Sequence, residues 1–230
     1  NLNLNLTLGA ADRFENATGG ALSDRLRGNT LFNRLAGGPG NDVYVFDRVD
    51  RVWTIASIST DGLVGNDASL EPSISRDGRY VAFVSLATNL VEGDAKSAYD
   101  VFLRDLRDGW TKRINVAADG SEASPYSASR NPAISADGRY VAYTSDATNL
   151  VPGDTNAKVD IFLYDRQGAS TVRVSVSSTG EQGNGPSYYP ALSGDGRFVA
   201  FQSNASNLVD GDAGGKSDVF VHEPLTKKTT

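Results

Sequence analysis

The nonapeptide SADGRYVAY, from Ser135 to Tyr143, decides the fold because the chain contains it three times. The other two versions are SRDGRYVAF, from Ser75 to Phe83, and SGDGRFVAF, from Ser193 to Phe201. The similarity extends well beyond the nonapeptide, and the matching segments begin at Pro72, Pro132 and Pro190. Successive starting points are therefore 60 and 58 residues apart. A fixed period of this size is typical of solenoids, propellers and other repeat arrays.

Each repeat has the pattern of four short β-strands. In the second repeat, PAIS is followed by a turn at Gly138 and then by the alternating segment RYVAYTS. After a long polar insertion come DIFLYD, another polar turn and the clean period-2 segment TVRVSVSS. Alternation of this kind, rich in β-branched and aromatic residues, predicts strands. Four strands are the content of one propeller blade, so we predict an all-β chain with three propeller-type blades of about 60 residues.

The pattern S-x-D-G-[RK]-x-[IV]-A-F resembles the TolB-like, WD-related β-propeller repeats over roughly residues 52–230. The resemblance implies the blade and says little about function. We therefore assign residues 51–230 to a three-repeat β-propeller or propeller fragment. In each turn we expect the aspartate to accept backbone N–H bonds; these residues are Asp77, Asp137 and Asp195.

A strand-like segment before the first repeat raises the question of how the blades close. Val52 to Ser59 has the pattern of a fourth strand, whereas only KKTT follows the third repeat. We expect Val52 to Ser59 to pair with the third repeat near Asp218 to His222, because closure would remove exposed sheet edges. Three blades are fewer than the usual four to eight. A homodimer and a larger parent chain both remain open, and the start at Asn1 without Met suits a processed or excerpted chain.

Residues 1–50 differ from the repeats and predict a short β-roll-like segment. The stretch GGPGNDVYV, from Gly37 to Val45, matches the nonapeptide G-G-x-G-x-D-x-U-x. It resembles the repeats-in-toxin family, and the segment ATGGALSDRLRGN resembles a degenerate earlier turn. The resemblance implies Ca²⁺, with Gly38 and Gly40 forming the tight loop and Asp42 supplying a carboxylate. The alternative is a β-roll remnant that caps the blades without metal.

The long insertion of each repeat also carries recurring acids. The middle copy, DTNAKVD, places Asp154, Asn156 and Asp160 at a spacing loosely like that of a calcium loop. The other copies conserve only the acids, which are Asp94 and Asp100 in the first repeat and Asp212 and Asp218 in the third. We treat all seven residues as candidate Ca²⁺ ligands. The alternative is that the aspartate preceding each third strand caps backbone donors of the loop.

Composition limits the chemistry further. The net charge of −6 argues against nucleic acid as a partner, because phosphate binding needs clustered Lys and Arg. No apolar run reaches the ~20 residues of a membrane span. The absence of Cys excludes disulfides and thiolate sites, and His222 is the only histidine. The chain has no G-x-S-x-G nucleophile elbow. We therefore expect that the chain is not an enzyme.

These features together predict a secreted bacterial protein that serves as a calcium-binding structural or interaction module. We expect its partner to be a protein or a surface glycan. Two alternatives remain, a fragment of a propeller-type hydrolase and a periplasmic TolB-like propeller that binds a partner. A cluster of non-repeating acids facing the central channel would favour the hydrolase, and clean threefold repetition of every acid would disfavour it.

Overall fold

A computed structural model describes most of the chain. The described residues are 5–7, 16–18, 25–27, 34–36 and 41–230, except 96, 125–126 and 213–215. The chain divides into two compact units: Asn1–Leu70, Ser85–Ser97 and Arg104–Lys112 form one, and Glu71–Val84, Ala98–Leu103 and Arg113–Thr230 form the other. Within the described ranges no helix is long and apolar enough to cross a membrane.

Among the described residues, six short strands precede the first repeat. The first four form two parallel pairs: β1 (Asn5–Thr7) pairs with β3 (Arg25–Arg27), and β2 (Asn16–Thr18) pairs with β4 (Arg34–Ala36). They are followed by an antiparallel hairpin of β5 (Tyr44–Asp47) and β6 (Val52–Ile55). The predicted domain boundary between residues 50 and 51 falls in the turn of this hairpin.

Each repeat forms one four-stranded antiparallel sheet, as the sequence predicts. The first contains β7 (Ser69–Ile74), β8 (Tyr80–Ser85), β9 (Asp100–Asp105) and β10 (Thr111–Arg113). The second contains β11 (Ser129–Ile134), β12 (Tyr140–Ser145), β13 (Asp160–Asp165) and β14 (Ser170–Arg173). The third contains β15 (Ser187–Leu192), β16 (Val199–Ser203), β17 (Asp218–Glu223) and β18 (Lys228–Thr229). In every sheet the strand order follows the chain, so the fold class is all-β with propeller-type blades.

The second and third strands of each sheet form its buried centre. Apolar side chains cover both faces of β8 and β9, so these strands are rich in Val, Phe and Leu. One aromatic pair recurs in each sheet at a centroid distance of 5.7–6.0 Å: Phe83 with Phe102, Tyr143 with Phe162, and Phe201 with Phe220. Burial and stacking of these rings hold the two central strands together.

The turn of the nonapeptide has the predicted hydrogen bonds. The Oδ1 of Asp137 accepts the backbone N–H of Arg139 at 2.9 Å and the hydroxyl of Ser135 at 2.6 Å. Asp77 and Asp195 make the same two bonds in their own turns. These bonds lower the pKa of Asp77 and of Asp195, with the serine hydroxyl as the largest cause. The prediction that these aspartates fix the turn is confirmed.

In the second and third repeats the same turn also contacts the preceding repeat. Gly138 has a φ of +67°, and a Cβ on it would lie 2.2 Å from Cδ2 of Tyr80. Gly196 is packed in the same way against Tyr140, at 2.3 Å. Beside them, the backbone N–H of Arg76 donates to the carbonyl of Ala136 at 3.0 Å. Glycine is therefore required here both for its backbone conformation and for the space it leaves to an aromatic ring.

The predicted pairing of Val52 to Ser59 with the third repeat is wrong. Strand β6 pairs with β5, Phe46 lying opposite Trp53, and the third sheet has its own fourth strand, β18. The hairpin β5–β6 matches the third and fourth strands of a repeat, because Asp42 and Ser57 correspond to Asp100 and Asn115. Strand β5, directly upstream in the sequence, is therefore the pairing partner of β6.

Candidate functional site

One row of side chains departs from the repeat pattern. Glu71, Asn131 and Tyr189 occupy equivalent positions in the first strands β7, β11 and β15, and each directly precedes a proline. We call these three residues the first-strand row. The proline that follows the row and the serine two residues before it recur in all three repeats, whereas the row presents a carboxylate, an amide and a phenol. The row therefore offers chemistry that the repeated scaffold alone does not require.

The backbone of the row is strained. Glu71, Asn131 and Tyr189 have φ values of 52°, 54° and 53°, in the left-handed region that side chains other than glycine disfavour. Such a residue costs about 1–3 kcal/mol and persists only where its surroundings hold it. In β11 and β15 the strain coincides with a register shift, between Arg130 and Ala133 and between Tyr188 and Ala191. Bulges of this kind redirect a side chain away from its regular strand position.

Glu71 links the first strands of two neighbouring repeats. Its Oε2 accepts the backbone N–H of Asn131 at 2.7 Å, and its Oε1 lies 3.4 Å from Nη1 of Arg130. The guanidinium of Arg130 also lies 3.5 Å from the centre of the Tyr99 ring. The side chains of Arg130 and Glu71 are 37% and 31% exposed. Their charges are partly paired and still accessible to a ligand.

Tyrosines extend the row on the third repeat. Tyr189 is 65% exposed, which is unusual for a large aromatic side chain, and its ring centre lies 6.0 Å from that of Tyr188. An exposed aromatic ring beside planar polar groups can stack on a ligand and fix its orientation by hydrogen bonds. This combination makes the row the candidate functional site.

The predicted loop acids of the second repeat lie together around an arginine. Nη1 of Arg173 lies 2.9 Å from Oδ1 of Asp154 and 3.6 Å from Oδ2 of Asp160. Asn156 donates its amide to Oδ2 of Asp160 at 2.9 Å, and the hydroxyl of Ser175 donates to Oδ1 at 2.6 Å. Burial raises the pKa of Asp154 and of Asp160 against the opposing effect of these partners. A guanidinium thus lies where a bound cation would interact with both carboxylates.

The third-strand aspartates bind side chains rather than loop backbone. Asp100 accepts the amide of Asn115 at 2.5 Å and lies 3.5 Å from Nη1 of Arg113. Asn115 in turn accepts the backbone N–H of Val101 at 2.9 Å. Asp160 has the equivalent arrangement with Ser175. The alternative in which these aspartates cap backbone donors of the inserted loop therefore needs correction: they connect the third strand to the segment that follows the fourth.

Asp42 has the same scaffold with one difference. Its Oδ1 accepts the hydroxyl of Ser57 at 3.0 Å, and Ser57 accepts the backbone N–H of Val43 at 3.1 Å. Ile55 is the residue equivalent to Arg113 and Arg173, so no arginine is present at this position beside Asp42. Burial raises the pKa of Asp42, and the bond from Ser57 opposes that rise.

The remaining predicted ligands are distributed differently. Asp94 is buried, Asp212 is half-buried and Asp218 is exposed, and Gly38 and Gly40 lie outside the described residues. Across the part of the chain that the structure describes, no three His, Cys, Asp or Glu side chains are grouped so that they could hold a metal ion. Calcium binding by these residues stays a prediction.

The single histidine is buried and serves the third sheet. Nδ1 of His222 lies 2.9 Å from Oγ1 of Thr229, so the ring ties β17 to β18. Burial lowers the pKa of His222 and favours its neutral form.

Sequence reasoning missed the first-strand row and the arginines Arg113 and Arg173. The row lies one residue upstream of Pro72, Pro132 and Pro190, where the similarity between the repeats begins. The dipeptides Glu-Pro, Asn-Pro and Tyr-Pro could have identified the row, because in each repeat a variable residue precedes the same proline.

Comparisons with known proteins support no assignment to a family. No family model matches the chain, and no curated protein is similar to it. Similar solved structures include TolB from Acinetobacter baumannii, at 17% identity and a TM-score of 0.48, and a putative TolB from Agrobacterium tumefaciens, at 16% and 0.49. Each alignment covers 82% of this chain, but only 36% and 53% of the respective TolB chains. A puromycin-hydrolyzing peptidase from Mycobacterium tuberculosis matches at 14% identity, with 82% of this chain, 23% of that chain and a TM-score of 0.45.

Proposed function

We propose that the chain is an interaction module that binds a protein or a surface glycan through the first-strand row. The observation that carries the proposal is the row itself: three strained, equivalent positions hold three different polar side chains. Strain of this kind is concentrated at ligand-binding and active sites. The strained backbone would present Glu71, Asn131 and Tyr189 to a ligand, while the repeated residues around them maintain the sheets.

The chemistry of the row favours a glycan among these partners. Sugars present an apolar face that stacks on an aromatic ring and hydroxyls that bond to planar polar groups. Tyr189 supplies the exposed ring, and Asn131, Glu71 and Arg130 supply amide, carboxylate and guanidinium groups. The net charge of −6 further disfavours polyanionic partners.

We further propose that the N-terminal segment is a secreted, calcium-binding β-roll of the repeats-in-toxin kind. The parallel pairing of β1 with β3 and of β2 with β4 supports this, since alternate strands of a parallel solenoid pair in this way. Asp42 is the best-supported ligand, because Ile55 leaves it without the arginine that lies beside Asp160. The segment would act as a calcium-dependent support for the blades in a bacterial extracellular protein.

The test is a binding screen against immobilised bacterial and host surface glycans, with Ca²⁺ or with chelator. For a glycan that binds the parent chain, Tyr189→Ala should lose about tenfold or more in affinity, as expected for an aromatic anchor. Phe198→Ala is the matched control, because Phe198 is 37% exposed and lies on the same repeat outside the row. Equal binding by the parent chain and Tyr189→Ala would exclude the row as the recognition surface.

A hydrolase fragment remains the second candidate, and Glu71 favours it. It is an acid whose equivalents in the other repeats are not acids, which is the feature expected of a catalytic group on a repeated scaffold. Hydrolysis of a bound glycan by the parent chain, abolished in Glu71→Gln with binding retained, would establish this alternative. A partner-binding propeller of the periplasmic TolB-like kind would instead bind a protein and release no product.

A further inference from the structure

A second non-repeating position lies on the third strands. Arg104, Tyr164 and His222 are each the fifth residue of β9, β13 and β17, and their spacings match the repeat. The side chains of Arg104 and His222 each bond to the threonine of the fourth strand in their own sheet, Thr111 and Thr229. The size of the side chain at this position determines whether a cavity remains beside the fourth strand.

In the first repeat, Arg104 occupies the corresponding position beside the fourth strand. Its Nη1 donates to the carbonyl oxygens of Ser59 at 3.2 Å and Gly109 at 2.8 Å, and to Oγ1 of Thr111 at 3.1 Å. The residue is only 7% exposed. Three acceptors around one guanidinium nitrogen form a site built for a cationic, planar donor.

The third repeat keeps the frame of this site. Thr229 corresponds to Thr111, and its Oγ1 donates to the carbonyl of Val176 at 2.5 Å, as that of Thr111 does to Ile58. The backbone N–H of Thr229 donates to Oγ of Ser178 at 3.0 Å, as that of Thr111 does to Thr60. The two hydrogen bonds that hold Thr111 in the first repeat are thus both present at Thr229 in the third. Ser177 and Lys227 hold the positions of Ser59 and Gly109.

His222 is too short to replace the arginine. Its Nδ1 reaches Oγ1 of Thr229, whereas the guanidinium of Arg104 also reaches the two carbonyl oxygens. A cavity of about 420 Å³ lies beside it, and Ser177, Lys227, Val176 and His222 contribute to its lining. The remaining wall contains the apolar residues Val151, Pro152, Val172 and Pro224 together with Thr171, Gly180 and Arg173.

We propose that this cavity binds a guanidinium group supplied from outside the chain, on an arginine of a partner protein or on a free guanidinium compound. The carbonyl oxygens of Ser177 and Lys227 accept its N–H groups, as their counterparts accept those of Arg104. The apolar wall covers the aliphatic stem of the arginine. The neutral ring of His222 adds no opposing charge, and the guanidinium of Arg173 in the wall is paired with Asp154 at 2.9 Å. The ammonium of Lys227 opposes the ligand.

The test uses the whole chain and three short peptides, acetyl-Gly-Xaa-Gly-amide with arginine, lysine or citrulline. Citrulline has the shape of arginine without its charge, so it isolates the charge-assisted hydrogen bonds. Calorimetry or NMR titration should show the arginine peptide binding about tenfold more tightly than the citrulline peptide. Methylguanidinium distinguishes the two sources: binding equal to that of the arginine peptide indicates a free compound, and much weaker binding indicates a protein arginine. Equal affinity for arginine and citrulline would overturn the proposal.

Variants of the chain locate the site. His222→Arg reproduces the first repeat, so its own guanidinium should occupy the cavity and abolish binding of the arginine peptide. Undiminished binding by a folded His222→Arg chain would overturn the proposal. Lys227→Gly reproduces Gly109 and removes the opposing charge, and it should tighten binding several-fold. If His222→Arg does not fold, Lys227→Gly decides the matter, and an unchanged affinity counts against the site.

Discussion

Substituting Gly138 tests the contact that joins successive repeats. A Cβ at this position would meet three atoms of Tyr80, Cδ2 at 2.2 Å, Cγ at 2.7 Å and Cβ at 2.9 Å. All three belong to the base of a buried ring, which is 5% exposed and cannot move aside without displacing its neighbours. Gly138→Ala therefore adds overpacking to the cost of an alanine at a φ of +67°.

The two costs can be estimated separately. An L-residue in the left-handed region costs about 1–2 kcal/mol, and an overpacked core site costs about 1–3 kcal/mol. Gly138→Ala should thus lower the free energy of unfolding by about 2–5 kcal/mol. Gly78 is the matched control: its φ is +74°, and among the described residues no atom lies within 4 Å of a Cβ built on it. Gly78→Ala should lose only about 1–2 kcal/mol.

Urea unfolding followed by circular dichroism gives both values. In a Tyr80→Ala background the extra cost at Gly138 should fall to that at Gly78, because the ring that clashes is gone. Equal losses for the two glycine variants in the parent chain would refute the argument that the ring of Tyr80 requires glycine.

Three further predictions concern charged and titratable groups. Asp160→Ala should lower the free energy of unfolding by about 1–3 kcal/mol, because the buried donors of Ser175 and Asn156 lose their acceptor while Arg173 keeps Asp154. The exposed equivalent Asp218→Ala should change it by less than about 0.5 kcal/mol in urea unfolding. Ca²⁺ should raise the melting temperature of the parent chain relative to chelator, and it should do the same for the control variant Ser57→Ala. It should not raise the melting temperature of Asp42→Ala. Equal shifts in all three proteins would exclude Asp42 as a ligand. Burial lowers the pKa of His222, so below about pH 6.5 the unfolded chain binds more protons than the folded chain. Stability should therefore rise with pH up to that value and level off above it, and His222→Gln should weaken this dependence; an identical pH profile for parent and variant would contradict the prediction.

The repeat predicted most of the fold because each of its residues has a local role. The alternation in RYVAYTS and DIFLYD specifies buried central strands, and the aspartate and glycine of the nonapeptide specify the turn between them. The sequence could not reveal that Gly138 also receives Tyr80, because that contact joins residues nearly 60 positions apart.

The pairing of Val52 to Ser59 was predicted wrongly for a specific reason. The segment DVYVF, from Asp42 to Phe46, belongs both to the calcium-binding nonapeptide pattern and to the third-strand pattern of the repeats. Assigning it to the former left β6 without a neighbour. The true fourth strand of the third sheet, β18, contains only two residues and shows no alternation that could identify it.

The loop acids show a limit of spacing arguments. Asp154, Asn156 and Asp160 do come together, as their spacing predicts, but Arg173 also enters from a strand that follows in the sequence. The spacing of the oxygen-bearing side chains therefore predicts that they cluster. It does not predict whether a metal ion or an arginine neutralises their charge.

The joint between successive repeats also bears on how such a chain can lengthen. Tyr80 supplies a ring to the next repeat, Gly138 receives it, and Tyr140 in the same repeat supplies the next ring to Gly196. The second repeat thus both receives a ring, at Gly138, and supplies one, from Tyr140, and these two residues lie within one nonapeptide. A tandem duplication of residues 132–189 would bring both residues with it, so an added blade would find its contacts already made on either side.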